Sequence, residues 1–152
     1  MKKYSVSLGI IIILLSFVST IFGEILSPAN LELLTEQARD TDNDGLYNSL
    51  TAEILLDVRE EMFFTFEGSL YADAELIAKV YKSVSLGSGM NTVDLAFEGK
   101  RIHQSEFDGP YTLSVVVYDQ HRNQTGGMFT ETLSYRYSEF ESQWYLTGRY
   151  GH

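Results

Sequence analysis

Hydrophobic and polar residues alternate along much of the chain from Leu46 onward. A period of two predicts β-strands that have one buried face and one face toward water. The buried face of the first strand carries Leu50, Ala52, Ile54, Leu56 and Val58. After a polar turn at residues 59–61, the buried face of the second strand carries Phe64, Phe66, Gly68 and Leu70. The chain is therefore expected to run from a first strand through this turn into a second strand.

Further segments with the same period follow, separated by glycine, proline and polar turn residues. In order, they are a third strand near Leu76–Val84, a fourth with Val93, Leu95 and Phe97 inward, an irregular stretch Glu98–Phe107, a fifth strand with Tyr111, Leu113, Val115 and Val117 inward, a polar loop His121–Gly127, a sixth strand Met128–Tyr137, and a candidate seventh at Trp144-Tyr145-Leu146.

Short strands at this spacing predict an all-β fold, an antiparallel β-sandwich of about seven strands. Ten inward positions are expected to share one core: Leu50, Ile54, Leu56, Phe64, Phe66, Leu95, Phe97, Leu113, Val115 and Val117. Tyrosines on the opposite faces remain for a binding surface: Tyr71, Tyr81, Tyr118, Tyr135 and Tyr137.

The N-terminus predicts export. Lys2 and Lys3 precede an apolar run, so residues 1–23 are interpreted as a signal peptide or an uncleaved membrane anchor helix. Residues 24–39 form a lead-in segment, either a short helix or extended, and residues 40–150 form the sandwich domain. Both interpretations of the N-terminus place the remaining chain outside the cell or at its surface, membrane-anchored where the segment is retained.

Charge and cysteine content narrow the possible partners. Residues 1–23 hold two of the 11 basic residues and none of the 21 acidic ones, so the rest of the chain carries a net charge of about −12. Such a surface argues against nucleic acid and against anionic membranes as partners. The chain has no cysteine, so no disulfide stabilises the fold despite the export signal.

A short acidic segment between the lead-in and the first predicted strand suggests a metal site. Asp40, Asp42 and Asp44 alternate and are followed by Gly45, a pattern that wraps oxygen ligands around calcium. The carbonyl of Leu46 and the side chain of Asn48, the latter directly or through a water, complete the expected ligands. Thr51 stands where an EF-hand loop has a bidentate glutamate. The alternative is a solvated acidic turn, since these residue types also favour turns.

Several segments occur in an order that resembles a known group of modules. They are Asp40-Thr41-Asp42-Asn43-Asp44-Gly45-Leu46-Tyr47, Gly68-Ser69-Leu70-Tyr71, Leu95-Ala96-Phe97-Glu98-Gly99, Ile102 and Asp108-Gly109-Pro110-Tyr111-Thr112-Leu113. The chain over residues 31–150 resembles the "DTDGDGLYD" β-sandwich repeats of archaeal and bacterial exported cell-surface proteins. The resemblance implies an extracellular Ig-like module without an assigned activity. This sequence departs from the pattern at Asn43, Asn48 and Met62.

Outside the acidic segment, the sequence offers few candidate catalytic or metal-binding residues. The histidines His103, His121 and His152 have no metal-ligand spacing, and the sequence has no nucleophile elbow, P-loop or zinc-protease motif. Glu98, Glu106 and Asp108 are the carboxylates nearest to a catalytic arrangement. Asn123 begins a glycosylation sequon in a predicted exposed loop.

These observations favour a non-catalytic structural or adhesive surface module stabilised by calcium. Its partners would be copies of itself or other surface proteins. In a narrower version the module is a filament subunit in which the lead-in 24–39 adds a strand to a neighbour's sheet. The alternative is a carbohydrate- or peptide-binding module that uses the exposed tyrosines and Trp144.

Overall fold

The computed structural model describes residues 29–142, which form two antiparallel sheets around one core. The elements are β1 (Ala29–Arg39), β2 (Ser49–Val58), β3 (Met62–Ala72), β4 (Glu75–Leu86), β5 (Gly89–Glu98), helix α1 (Gly99–Ser105), β6 (Thr112–Tyr118), β7 (Gln124–Glu131) and a 3₁₀ turn (Tyr137–Glu139). The three-stranded sheet has the order β1-β2-β5 and the four-stranded sheet the order β4-β3-β6-β7. The predicted all-β sandwich is confirmed at this level.

The core lies between the two sheets and contains the residues that the alternation predicted. All ten expected core residues are buried, which confirms the inward faces of β2, β3, β5 and β6. Gly68 lies on the inward face of β3, where an added Cβ would come within 2.9 Å of the Phe97 ring. The absence of a side chain at Gly68 therefore leaves room for aromatic packing from the opposite sheet.

The segment predicted as a lead-in, either a short helix or extended, is extended from residue 29 and belongs to the sandwich. Residues 29–39 form β1, which pairs antiparallel with β2 from Ala29 opposite Asp57 to Arg39 opposite Ser49. The described part of the sandwich therefore begins at Ala29 and not at residue 40. Alternation is weak in this segment because β1 is an edge strand with two register shifts.

Two further boundaries differ from the prediction. The stretch expected to be irregular contains helix α1, which is only seven residues long and too short to show a helical period. The predicted loop 121–127 ends early because β7 begins at Gln124, and β7 itself ends at Glu131. Beyond that residue the chain pairs with the segment before β6, where Thr132 N donates to Tyr111 O at 2.9 Å.

Some predictions fall on residues that lie outside the described range. These are the export segment 1–23, the first part of the lead-in, and the candidate strand at residues 144–146. Residues 29–142 contain no helix that is both long and apolar enough to cross a membrane.

Candidate metal centre

The acidic loop connects β1 to β2 at one end of the three-stranded sheet. Its base is closed by a hydrogen bond of 2.7 Å from Asn48 N to Arg39 O. One carboxylate oxygen each from Asp40, Asp42 and Asp44 lies within 4.8 Å of the others. The structure thus brings together the three carboxylates that the sequence placed at alternate positions of the loop.

Backbone amides inside the loop hold two of these carboxylates in place. Asp40 accepts hydrogen bonds from Asn43 N at 2.8 Å and from Gly45 N at 3.0 Å, one on each oxygen. Asp44 Oδ1 accepts one from Leu46 N at 2.9 Å. Gly45 has φ +92°, which explains why the loop needs glycine at this position. Because a carboxylate oxygen has two lone pairs, each of these oxygens keeps capacity to bind a cation.

Asn48, predicted as a calcium ligand, makes hydrogen bonds with both ends of its side-chain amide. Its Oδ1 accepts hydrogen bonds from both the amide and the hydroxyl of Thr41, so both lone pairs of the oxygen are used. Its Nδ2 donates to Glu141 Oε1 at 2.6 Å. In this arrangement Asn48 connects the loop to the C-terminal segment. The Leu46 carbonyl stays a predicted ligand.

The C-terminal segment forms the floor of the loop. Tyr47 N donates to Glu139 O at 2.8 Å and Glu141 N donates to Tyr47 O at 3.1 Å, which makes a single parallel bridge. Phe140, between them, is fully buried, and its ring centroid lies 5.6 Å from that of Tyr47 and 6.0 Å from that of Tyr135. Phe140 is not among the predicted core residues, because it lies outside every alternating segment. Its large aromatic side chain was the one sign in the sequence that it could be buried.

Helix α1 closes against the same loop. Gly99 N donates to Asn48 O at 2.8 Å. A Cβ on Gly99 would lie 2.8 Å from that oxygen and closer still to the carbonyl oxygen of Tyr47. Only glycine allows the start of α1 to approach the backbone at the end of the loop this closely. The loop, α1 and the C-terminal segment are therefore packed as one junction.

The predicted exposed tyrosines divide into two groups. Tyr71, Tyr81 and Tyr118 lie on the outer face of the four-stranded sheet, and only Tyr81 among them is largely exposed. Tyr135 and Tyr137 are half-buried near the loop floor, so the assignment of these two to a strand's exposed face was wrong. Tyr135 packs against the core because the chain after β7 crosses the end of the sandwich. Trp144 lies outside the described residues.

The other candidate side chains serve local structure. Glu98 precedes α1 and lies 3.9 Å from Arg101, Glu106 ends α1 in a left-handed conformation, and Asp108 Oδ1 accepts from Tyr137 N at 3.0 Å. His103 Nδ1 is 2.7 Å from Phe140 O. Within residues 29–142, the aspartate triad is the one group of three metal-ligating side chains.

Asn123 lies at an exposed turn directly before β7. Its backbone amide and its Nδ2 donate to the Asp119 carboxylate at 2.9 and 3.0 Å. The hydrogen bond from the Asn123 side chain is the main cause that lowers the pKa of Asp119, because it stabilises the charged carboxylate. The sequon asparagine is thus both accessible and held in a defined turn.

Two tyrosines have raised pKa values. Burial raises the pKa of Tyr111 to about 12, and the charges of Asp108 and Glu139 add to the effect. Its hydroxyl donates to Phe107 O at 2.9 Å. Burial also raises the pKa of Tyr135 to about 12, with a further contribution from the Glu36 carboxylate. In both cases the fold favours the neutral phenol.

These shifts predict loss of stability at alkaline pH. Because each pKa is higher in the folded state, the stabilisation is fully present below about pH 10, the ordinary tyrosine pKa. It is lost as the pH rises toward 12, the folded-state pKa. We expect tyrosinate absorbance and circular dichroism to change together in this range. Tyr111→Phe should remove part of this pH dependence and cost about 1 kcal/mol at neutral pH through its lost hydrogen bond.

The matched control is Tyr81→Phe, since Tyr81 is 63% exposed. This variant should show the same alkaline transition as the unmodified chain. Ionisation of all tyrosines near pH 10 with the circular dichroism unchanged would contradict the assignment.

Comparison with known proteins finds a distant structural likeness. No protein-family model matches the chain, and no curated protein matches it. Among solved structures, a protein from Archaeoglobus fulgidus is similar, with a TM-score of 0.40 and 10% sequence identity. The match covers 70% of this chain and 97% of that chain. At this level of similarity the match carries no argument about function.

Proposed function

We propose that this protein is an extracellular, non-catalytic structural or adhesive module whose β-sandwich is stabilised by calcium. The observation that carries the proposal is the convergence of the Asp40, Asp42 and Asp44 carboxylates within 4.8 Å of one another. Three like charges at this separation repel, and a divalent cation converts the repulsion into attraction. The residues fit calcium, since it prefers carboxylate and carbonyl oxygens and accepts irregular geometry.

The expected calcium site is weak. Three carboxylates are available, the acidic residue at the twelfth loop position is absent, and Asn48 Oδ1 is engaged by Thr41. We therefore expect a dissociation constant on the order of 10⁻⁴ M or weaker, in the range of extracellular modules. A site of this affinity suits the surroundings of an exported protein better than the cytosol.

A cation in the loop would stabilise more than the loop itself. The loop fixes the return of β1 onto β2 through the Arg39–Asn48 hydrogen bond, and Tyr47 and Asn48 hold the segment around Phe140. The aspartates are therefore attached to the junction that closes one end of the core. In a chain without cysteines, such a link serves the purpose that disulfides serve in other exported domains.

Two features support the Ig-like part of the proposal. The strand order β1-β2-β5 against β4-β3-β6-β7 follows the A-B-E and C′-C-F-G arrangement of Ig-like sandwiches. Tyr111 lies just before β6, and its hydroxyl donates to a backbone carbonyl four residues upstream. This contact matches the tyrosine corner of that architecture.

Calorimetric titration of the full chain tests the calcium proposal. We expect one calcium ion per chain with the affinity given above. Asp42→Asn should weaken binding at least tenfold, because it removes one of three charged ligands. Asp57→Asn neutralises an exposed carboxylate on β2 and should leave binding unchanged. Absence of calcium-dependent heat in the unmodified chain, or equal binding by Asp42→Asn, would refute the site.

The surface location rests on the export segment, and Asn123 is proposed as a glycosylation site because it is exposed. Mass spectrometry of the protein from its host measures both features. A mature N-terminus near Glu24 and a glycan on Asn123 are expected. An intact N-terminus would indicate the membrane-anchored form, and an unmodified Asn123 would remove the glycan proposal.

Binding of carbohydrate is the second candidate function. The observation in its favour is the outer face of the four-stranded sheet, where Tyr81 and Phe129 are 63% and 77% exposed. Glu67 and Lys79 form a 2.6 Å ion pair beside Tyr81 on this face, so apolar ring surface and hydrogen-bonding groups for a pyranose lie next to each other. A glycan array separates this function from a purely structural one, which predicts no retained glycan.

A further inference from the structure

Strand β1 is attached to the sandwich less firmly than its length suggests. It is the edge of the three-stranded sheet and faces β7, the edge of the other sheet. None of residues 30–39 is fully buried, whereas β2, which pairs with β1, has six buried positions. Leu31, Leu33 and Ala38 of β1 pack against the core but are only partly buried, so removing β1 would expose less apolar surface than removing a central strand.

The inward face of β1 also contains a poorly satisfied charge. Glu36 lies opposite Ala52, which is a core residue, so Glu36 is directed toward the interior. Its Oε1 accepts a hydrogen bond from Leu133 N at 2.5 Å. Its Oε2 is buried and has no hydrogen-bond partner among residues 29–142. Burial removes water from this carboxylate, and the neighbouring Tyr135 phenol replaces only part of that hydration, so Glu36 weakens the attachment of β1 to the sandwich.

The acidic loop is long enough to act as a hinge that lets β1 move away from β2. Residues 40–48 separate β1 from β2, and nine residues span roughly 30 Å when they are fully extended. In the structure the loop is folded back on itself by the Arg39–Asn48 and Asp40 hydrogen bonds. Extension of the loop would break these bonds and would separate the three aspartates.

We propose that β1 is an exchangeable strand, and that the partner is a second copy of this chain. In the exchanged form, β1 of one copy pairs with β2 of the other in the same register, so both sheets stay complete. Because the strand contacts are the same in both forms, the conformation of the loop and the protein concentration decide between them. The calcium part of this inference rests on the proposed function: a cation that gathers Asp40, Asp42 and Asp44 favours the closed single copy, and its removal favours exchange.

Disulfide trapping tests the exchange directly, because the chain has no cysteine of its own. Thr35 and Glu53 are cross-strand partners on the outer face of β1 and β2. The full-length variants Thr35→Cys and Glu53→Cys are mixed at high concentration and mildly oxidised. We expect a mixed dimer, identified by its mass, with a yield several-fold higher in chelator than in millimolar calcium.

A mixture of Glu53→Cys and Asp94→Cys is the matched control. These residues are also cross-strand partners, but they lie on β2 and β5, which remain in one copy. A Thr35–Glu53 dimer yield no higher than this control, with and without calcium, would overturn the exchange even if calcium stabilises the protein. A specific Thr35–Glu53 dimer whose yield is the same with and without calcium would support the strand exchange. It would overturn the proposal that calcium binding by the acidic loop controls the exchange.

Discussion

Replacing Phe97 with alanine is expected to lower the free energy of unfolding by about 3–5 kcal/mol. Phe97 is 1% exposed on β5, and its ring fills the space above Gly68 of the opposite sheet. The substitution removes buried aromatic surface and leaves a cavity between two sheets that cannot close without backbone movement. Urea denaturation followed by circular dichroism measures the loss.

Phe129→Ala is the matched control for this prediction. The chemical change is the same, but Phe129 is 77% exposed on β7, so its loss should cost less than about 0.5 kcal/mol. Equal destabilisation by the two variants would mean that β5 does not present Phe97 to the core. A small effect of both would contradict the two-sheet packing.

The sequence predicted the central strands well because their hydrophobic residues are buried with a period of two. Leu50, Ile54, Leu56 and Val58 alternate on β2, and all of them are buried. The four-stranded sheet covers only one face of β2, so the pattern of hydrophobic residues along β2 reports which face is buried. The same reasoning located β3, β5 and β6.

Edge and end elements could not be predicted in the same way. The side chains of β1 are half-buried or exposed, so its alternation is weak, and Glu36 occupies an inward position that a charged residue rarely takes. Helix α1 depends on contact between Gly99 and the end of the acidic loop, which is a tertiary feature. Phe140 reaches the core from a segment that has no regular period at all.

The sequence was enough to predict that the three aspartates of the candidate site converge. It was not enough to predict the hydrogen bonds around them. The spacing of Asp40, Asp42 and Asp44 was enough to expect convergence, since alternate loop positions turn toward one point. The spacing did not show that Asn48 would bond to Thr41 and Glu141. Those partners are distant in sequence or compete locally for the same oxygen, and only the folded chain determines which interaction forms.

The second large effect expected is stabilisation by calcium. Because the folded loop gathers the ligands and the unfolded chain does not, calcium at a hundredfold excess over its dissociation constant should add about 2.7 kcal/mol. Asp42→Asn should abolish most of this gain, as measured by urea denaturation with and without calcium. In chelator the same variant should be neutral or slightly more stable, because it relieves repulsion from Asp40 and Asp44. Asp57→Asn should respond to calcium like the unmodified chain.

The most direct test of the account is the melting temperature of the full chain in excess calcium and in chelator. For a chain of 152 residues, the expected gain corresponds to a rise on the order of 5–10 °C in calcium. The rise should disappear in Asp42→Asn and persist in Asp57→Asn, with β-sheet circular dichroism retained in both. Equal melting temperatures of the unmodified chain in calcium and in chelator would contradict the calcium site and leave an acidic turn in its place.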